Sequence, residues 1–338
     1  MKSVLVLWLA LAPATGLAGV AAAPRAPESL QLAGAEYLRL PDWATTNGFN
    51  VRWLKRDELL QLTNRSARLL LTVDANEARV NGVAVWLLYP IAARFGTVYL
   101  ARQDAEATLR PLLFPARSTR PATPIQTVCL DPGHGGKDPG FCVGTKAEKR
   151  YTLLLAQEVR QQLTRAGLKA TLTRTTDTTL DLPTRPELAK QRKADLFLSL
   201  HFNAFPAAPA SVRGTEVYCL PPAGAPSTIG RNESGGAGPS PGNLLNDQNL
   251  LLAYQVQKSL THILETEDRG VRRARFVVLR NAAMPAILIE AGFLSHPKEG
   301  RKILDAGYRR QIAHAIVEGL LAYKRLTEPP EPAKTAAR

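Results

Sequence analysis

The sequence predicts an α/β fold: a mostly parallel sheet flanked by helices forms one domain, and a small β-rich domain precedes it. Three observations carry this. Val128-Cys129-Leu130, Leu196-Phe197-Leu198-Ser199-Leu200 and Ala286-Ile287-Leu288-Ile289 are short apolar runs bounded by turn residues, the pattern of strands buried on both faces. Stretches with helical spacing alternate with these runs, and a strand–helix rhythm argues for a sheet covered on both sides. Ahead of them, residues 29–115 hold β-rich runs joined by turn signals instead.

Taken in order, the chain begins with a charged Met1-Lys2, an apolar centre through Val4-Leu5-Val6-Leu7-Trp8-Leu9, and small residues Gly19-Val20-Ala21-Ala22-Ala23. This describes a signal peptide over 1–23, cleaved after Ala23, and hence an exported protein of the periplasm or cell envelope. No other run is long enough to span a bilayer. Within 29–115, Phe49-Asn50-Val51-Arg52-Trp53, Arg68-Leu69-Leu70-Leu71-Thr72-Val73, Ala78-Arg79-Val80 and Val83-Ala84-Val85-Trp86-Leu87 read as strands. Asn81-Gly82 between the last two is a hairpin signal, because a type I′ turn needs positive φ at both central positions.

Residues 116–124, rich in proline, arginine and threonine, read as a linker to a second domain over 125–326. There, Glu148 to Ala166 is a helix with Leu154, Leu155, Val159 and Leu163 on its apolar side and Gly167 as its stop. Residues 168–173 form a strand, and 185–192, 250–264 and 308–323 are helices. Residues 221–249, rich in Gly, Pro, Ser and Asn, read as a long flexible loop. The Pro/Ala/Lys tail, 327–338, is unstructured.

Composition narrows the function classes. The net charge of +14 is scattered along the chain, with no motif for base readout. That excludes sequence-specific nucleic-acid binding and suits attraction to an anionic matrix such as a cell envelope. Three cysteines do not make a disulfide framework. Cys129 and Cys219 fall in predicted strands as small buried residues, and Cys142 is a bystander thiol in a loop.

The chemistry gathers where the apolar runs end. In open α/β sheets, sites form at the carboxyl ends of strands. The first run leads into Asp131-Pro132-Gly133-His134-Gly135-Gly136, the second into His201 and the third into Glu290. A hydrolytic zinc takes three protein ligands and leaves one position for water. His134 and His201 supply two nitrogens, and Glu148, Asp131 or Asp138 could supply the third donor. Glu290 closes an apolar run, so desolvation raises its pKa, which suits a group that takes a proton from water and returns it to a leaving amine. His262, His296 and His314 show no partner pattern. Residues 29–115 hold no histidine and no clustered carboxylates, so their expected role is binding or scaffolding.

At these residues the second domain resembles the zinc-dependent N-acetylmuramoyl-L-alanine amidases of bacterial cell walls (amidase type 3), over residues 128–323. The family's Leu-Asp-Pro-Gly-His-Gly-Gly is matched by Leu130 to Gly136, which implies His134 as a ligand. Its Glu-Lys pair at the first long helix is matched by Glu148-Lys149, and this resemblance selects Glu148 as the third ligand. Ser199-Leu200-His201-Phe202-Asn203 matches its Ser-x-His-x-Asn, and Glu290-Ala291-Gly292-Phe293-Leu294 matches the stretch around its catalytic glutamate. Further matches are Thr173-Arg174 with Asp177, Arg185, and Arg269-Gly270-Val271 leading to Val278-Leu279-Arg280; Asn203 and Arg280 are implied as supporting residues.

The resemblance implies one zinc ion (Zn2+) and hydrolysis of the amide between N-acetylmuramic acid and L-alanine in peptidoglycan. Alternatives are a zinc peptidase or amidase on another envelope amide, and a non-catalytic wall-binding protein. Peptidoglycan is the expected partner; an activator protein is admitted without being specified, and no membrane contact follows removal of the leader. Two departures stand out. His296 replaces the family's asparagine and is read as solvent-facing. The loop 221–249 fills the place of an inhibitory helix found in some members, and its composition is a poor helix former. The N-terminal domain resembles the small N-terminal domain of copper amine oxidases, through its strand pattern and Val80-Asn81-Gly82, with no copper site implied.

Overall fold

The computed structural model describes residues 28–115, 124–229 and 238–328. The predicted leader, the linker before Pro124, part of the 221–249 loop and the tail beyond Glu328 lie outside the described residues. The first region runs β1 (Ser29–Leu32), β2 (Ala35–Arg39), α1 (Leu40–Thr46), β3 (Asn50–Lys55), β4 (Leu59–Thr63), β5 (Arg68–Thr72), β6 (Glu77–Val80), β7 (Val83–Trp86), β8 (Ala92–Arg94) and β9 (Thr97–Ala101). A helical stretch follows: α2 (Arg102–Asp104), a π-helical turn (Ala105–Leu109) and α3 (Arg110–Leu113). This region is therefore only partly β.

The second region runs β10 (Thr127–Pro132), the small hairpin β11 (Cys142–Val143) and β12 (Lys146–Ala147), α4 (Glu148–Arg165), β13 (Lys169–Leu172), α5 (Thr184–Gln191) and β14 (Leu196–Asn203). It continues with β15 (Thr215–Cys219), a 3-10 turn (Pro241–Leu245), α6 (Asn246–Leu264), β16 (Asp268–Arg273), α7 (Val277–Arg280), β17 (Ala286–Phe293), α8 (Pro297–Leu304) and α9 (Ala306–Thr327).

The expected strands and helices are present, and the sheet they build is mixed. Its eleven strands lie in the order β13-β10-β14-β17-β15-β16-β7-β6-β5-β4-β3. The quartet β13, β10, β14 and β17 is parallel throughout. β15 pairs antiparallel to β17, then β16 and β7 follow β15 in parallel. From β7 to β3 the strands alternate as an antiparallel meander, whose β6–β7 turn places Asn81 and Gly82 at φ 49° and 89°, as the turn chemistry demands. The sheet thus crosses from one region to the other through the pair Val85↔Val271. β1, β2, β9 and β8 form a separate four-stranded sheet.

Packing is continuous as well. One buried apolar cluster includes Leu62, Leu71 and Val85 from the first region together with Leu130, Leu198, Ile289 and Leu320 from the second. α4 buries Leu155, Ala156, Val159 and Leu163, the i, i+4 spacing that puts a helix face on the sheet. α6 and α9 come close enough that a Cβ on Gly319 would lie 2.6 Å from the Val256 Cα. The predicted loop ends earlier than its composition implies. Ser240 and Asn243 cap the 3-10 turn reciprocally, and α6 starts at Asn246, where the apolar pattern alone predicts residue 250. Among the described residues no helix is long and apolar enough to cross a membrane.

Candidate active site

β10 delivers its chain to the rim and then turns sharply. His134 sits at φ 61°, a left-handed conformation that costs energy in a non-glycine residue and so must be held from outside. Two buried arginines hold it. Arg174 donates to the carbonyls of Pro132 (3.0 Å), Gly133 (2.8 Å) and Lys149 (2.7 Å). Arg185 donates to Asp131 Oδ1 (2.9 Å) and to the carbonyls of Pro132 and His134 (3.0 Å each). Lys149 Nζ reaches the Gly136 carbonyl (2.7 Å) and Asp177 (2.8 Å), closing the loop from the helix side. Glycine at 133 is required by close approach, since a Cβ there would lie 2.2 Å from the His201 ring.

That approach brings three donors together. Glu148 Oε1 lies 3.1 Å from His134 Nε2 and 3.3 Å from His201 Nδ1, and the donor atoms of all three residues lie within 4.8 Å of one another. Among the described residues this is the cluster that could hold a metal. Two imidazole nitrogens and a carboxylate oxygen are a donor set that suits zinc. The alternatives left open by spacing are occupied elsewhere. Asp131 is buried and accepts from Thr173 Oγ1 (2.6 Å), Ser199 Oγ (2.8 Å) and Arg185. Asp138 Oδ2 meets His134 Nδ1 at 2.8 Å, which fixes the ring with Nε2 inward, the usual duty of a group behind a ligand. Cys142 is exposed and stands outside the cluster.

Electrostatics match this geometry. Burial alone would raise the Glu148 carboxyl, but hydrogen bonds and charge from His134 and His201 outweigh it and hold it well below the usual carboxylate range. Burial would lower His134, and Glu148 with Asp138 reverse that, raising it.

Glu290 stands in register with His201 on β14 and with Glu216 on β15. Its side chain borders a cavity of about 350 Å³, whose other walls include His134, His201, Leu182, Phe276 and Val278. Glu290 Oε2 is enclosed and has no hydrogen-bond partner. Burial pushes its pKa well above the ordinary range, and the neighbouring Glu148 and Glu216 carboxylates push the same way.

The remaining expected residues divide. Asn203 Nδ2 donates to Glu216 Oε1 at 2.5 Å, beside the site. Arg280 is exposed at the end of α7 and does not line the cavity, whereas Arg275 does. His296 is a correction: it is buried, and its Nδ1 accepts from Glu299 N to cap α8, so it does not face solvent. His262 and His314 are exposed, and Cys129 and Cys219 are buried as expected. Sequence reasoning missed Glu216, a buried acid that also accepts from Tyr218 OH (2.7 Å) and pairs with Arg269 (3.2 Å) and Arg272 (3.1 Å). The available signal was an acidic residue inside the otherwise apolar run that forms β15.

The family described as N-acetylmuramoyl-L-alanine amidase matches residues 128–322. N-acetylmuramoyl-L-alanine amidase AmiA of Escherichia coli (strain K12) is 34% identical over 222 residues, covering 59% of this chain and 76% of that protein. N-acetylmuramoyl-L-alanine amidase AmiC of Neisseria meningitidis serogroup B (strain ATCC BAA-335 / MC58) is 34% identical over 231 residues, 62% of this chain and 55% of that one. The chain thus spans about half the length of that relative. The solved structure of N-acetylmuramoyl-L-alanine amidase AmiC2 of Nostoc punctiforme superposes with a TM-score of 0.50 at 32% identity, over 59% of this chain and 97% of that one.

Proposed function

The chain belongs to the N-acetylmuramoyl-L-alanine amidase family, and from that premise we propose that it hydrolyses the amide joining N-acetylmuramic acid to L-alanine in peptidoglycan, using one zinc ion. His134, Glu148 and His201 would hold the ion, and Glu290 is the general base. A zinc ion there would supply the Lewis acidity that brings the pKa of water towards about 7 and polarises an amide carbonyl. Glu290 takes a proton from water as its oxygen attacks the carbonyl carbon. It then passes that proton to the amide nitrogen as the C–N bond breaks, leaving a lactyl carboxylate and the free amine of L-alanine. Leu182, Phe276 and Val278 keep the cavity wall apolar, which strengthens each charge interaction inside it.

The observation that supports this most is the juxtaposition of a His–Glu–His cluster with an enclosed, unpartnered carboxylate oxygen on the adjacent strand. The leader at 1–23 and the scattered positive charge support export to an anionic envelope. Residues 29–115 would be an accessory domain of the copper amine oxidase N-terminal type, ahead of a catalytic domain over 125–326. The test is dye release from labelled peptidoglycan by the purified mature protein, with chelator and zinc add-back, followed by product mass analysis. Zinc-dependent release of stem peptides with a free L-alanine N-terminus is the expected result. Wall binding without cleavage by the zinc-loaded protein would overturn it.

A further inference from the structure

The seam between β7 of the first region and β16 of the second lies beside the machinery of the site. β7 lies parallel to β16, and the polar bonds that cross there include Ala84 N to Asp268 Oδ2 (2.7 Å), Trp86 Nε1 to the Arg269 carbonyl (3.0 Å), and Tyr254 OH to the Val80 carbonyl (2.9 Å). The Arg272 guanidinium also lies over the Trp86 ring, 4.1 Å from its centroid. An aromatic face holds a guanidinium through the ring quadrupole, most strongly where water is excluded.

What Trp86 holds is one step from the site. Arg272 and Arg269 both direct Nε to Glu216 Oε2, at 3.1 and 3.2 Å. The other oxygen accepts from Asn203 Nδ2 and Tyr218 OH. Glu216 and Glu290 are direct cross-strand partners, so their side chains share one face of the sheet. A carboxylate bound by four donors cannot turn towards its neighbour, and Glu290 Oε2 has no hydrogen-bond partner. Withdraw the arginines and Glu216 loses half its donors, becomes free to swing, and no longer anchors Asn203.

We propose that Trp86 is a positioning residue of the active site: by stacking on Arg272 and tethering Arg269, it keeps Glu216 locked and Glu290 correctly placed. The region before the linker thereby completes the wall behind the catalytic carboxylate. This rests on Glu290 being the base of the proposed reaction.

The experiment compares the full zinc-loaded chain with its Trp86→Ala, Trp86→Phe and Tyr254→Phe variants, measuring kcat and KM on soluble muropeptide, zinc content and Tm. Trp86→Ala is expected to lower kcat roughly tenfold, the rate equivalent of one shielded cation–π contact, with KM and zinc content unchanged. Trp86→Phe, which keeps an aromatic face, recovers most of it. Tyr254→Phe removes a bond at the same seam away from Glu216 and is expected to lower Tm without lowering kcat. Wild-type kcat in Trp86→Ala below its Tm would overturn the inference, as would an equal kcat loss in Tyr254→Phe. A wild-type chain that does not cleave overturns the functional reading, and this inference with it.

Discussion

One sheet runs through the molecule, yet its two ends do different work. At one end β13, β10, β14 and β17 point the same way, so their carboxyl ends meet on a single rim. His134, His201 and Glu290 arrive there from three strands, with a long helix start supplying Glu148. At the other end the strands from β7 to β3 alternate in direction, and tight turns such as Asn81-Gly82 leave no converging loops. Direction, more than composition, separates the two. A parallel quartet needs crossovers long enough to carry functional side chains, whereas a meander spends its residues on pairing and core.

The largest expected effect tests the rim. His201→Ala removes a donor and should abolish both bound zinc, measured by elemental analysis, and peptidoglycan cleavage. Retention of stoichiometric zinc would break the assignment. Glu290→Gln should keep the zinc and lose about 10²–10⁴-fold in kcat, the usual contribution of a general acid–base; near-normal turnover would remove Glu290 from that role.

A mutation in the core of the meander, away from the β7–β16 seam, should do the opposite. Leu71 is fully buried, and Leu71→Ala should cost about 2–5 kcal/mol of stability by denaturant unfolding. Its kcat per folded molecule should stay unchanged at temperatures where the protein remains folded. A large kcat loss there would show that coupling to the site extends beyond the Trp86 seam into the meander core.

Zinc affinity should also follow pH in a stated direction. His134 is raised by its carboxylate neighbours, so in the metal-free protein it becomes protonated at a higher pH than an ordinary histidine, while Glu148 stays ionised. Affinity is therefore full above the raised value and falls as pH drops through it, by about tenfold per unit for one proton displaced. Chelator competition across this range measures the slope; a flat profile would contradict a proton held on the ligand. The smallest effect concerns Arg280. It is exposed and off the cavity, so Arg280→Ala should keep activity within about twofold, the scale of surface changes.

Much of this arrangement is legible from local pattern. The apolar runs ending at His134, His201 and Glu290 form three adjacent strands of the parallel quartet, and the helix beginning at Glu148 starts where its spacing predicts. Misreadings arose where a partner is distant or a cap overrides composition. Ser240 and Asn243 start a helical turn inside a segment that looks like pure loop, and His296 proves to be the cap of α8.

The sequence by itself determined the local elements, the residue types at the strand ends and the sharp turns that glycine permits, because all of these depend on neighbours a few positions apart. Only the tertiary structure decided that Glu216 stands opposite Glu290, that β7 extends the sheet through β16, and that Trp86 reaches Arg269 and Arg272. Those contacts join residues up to nearly two hundred positions apart, and hydrophobic periodicity marks strands and their buried faces but carries no information about which edge meets which.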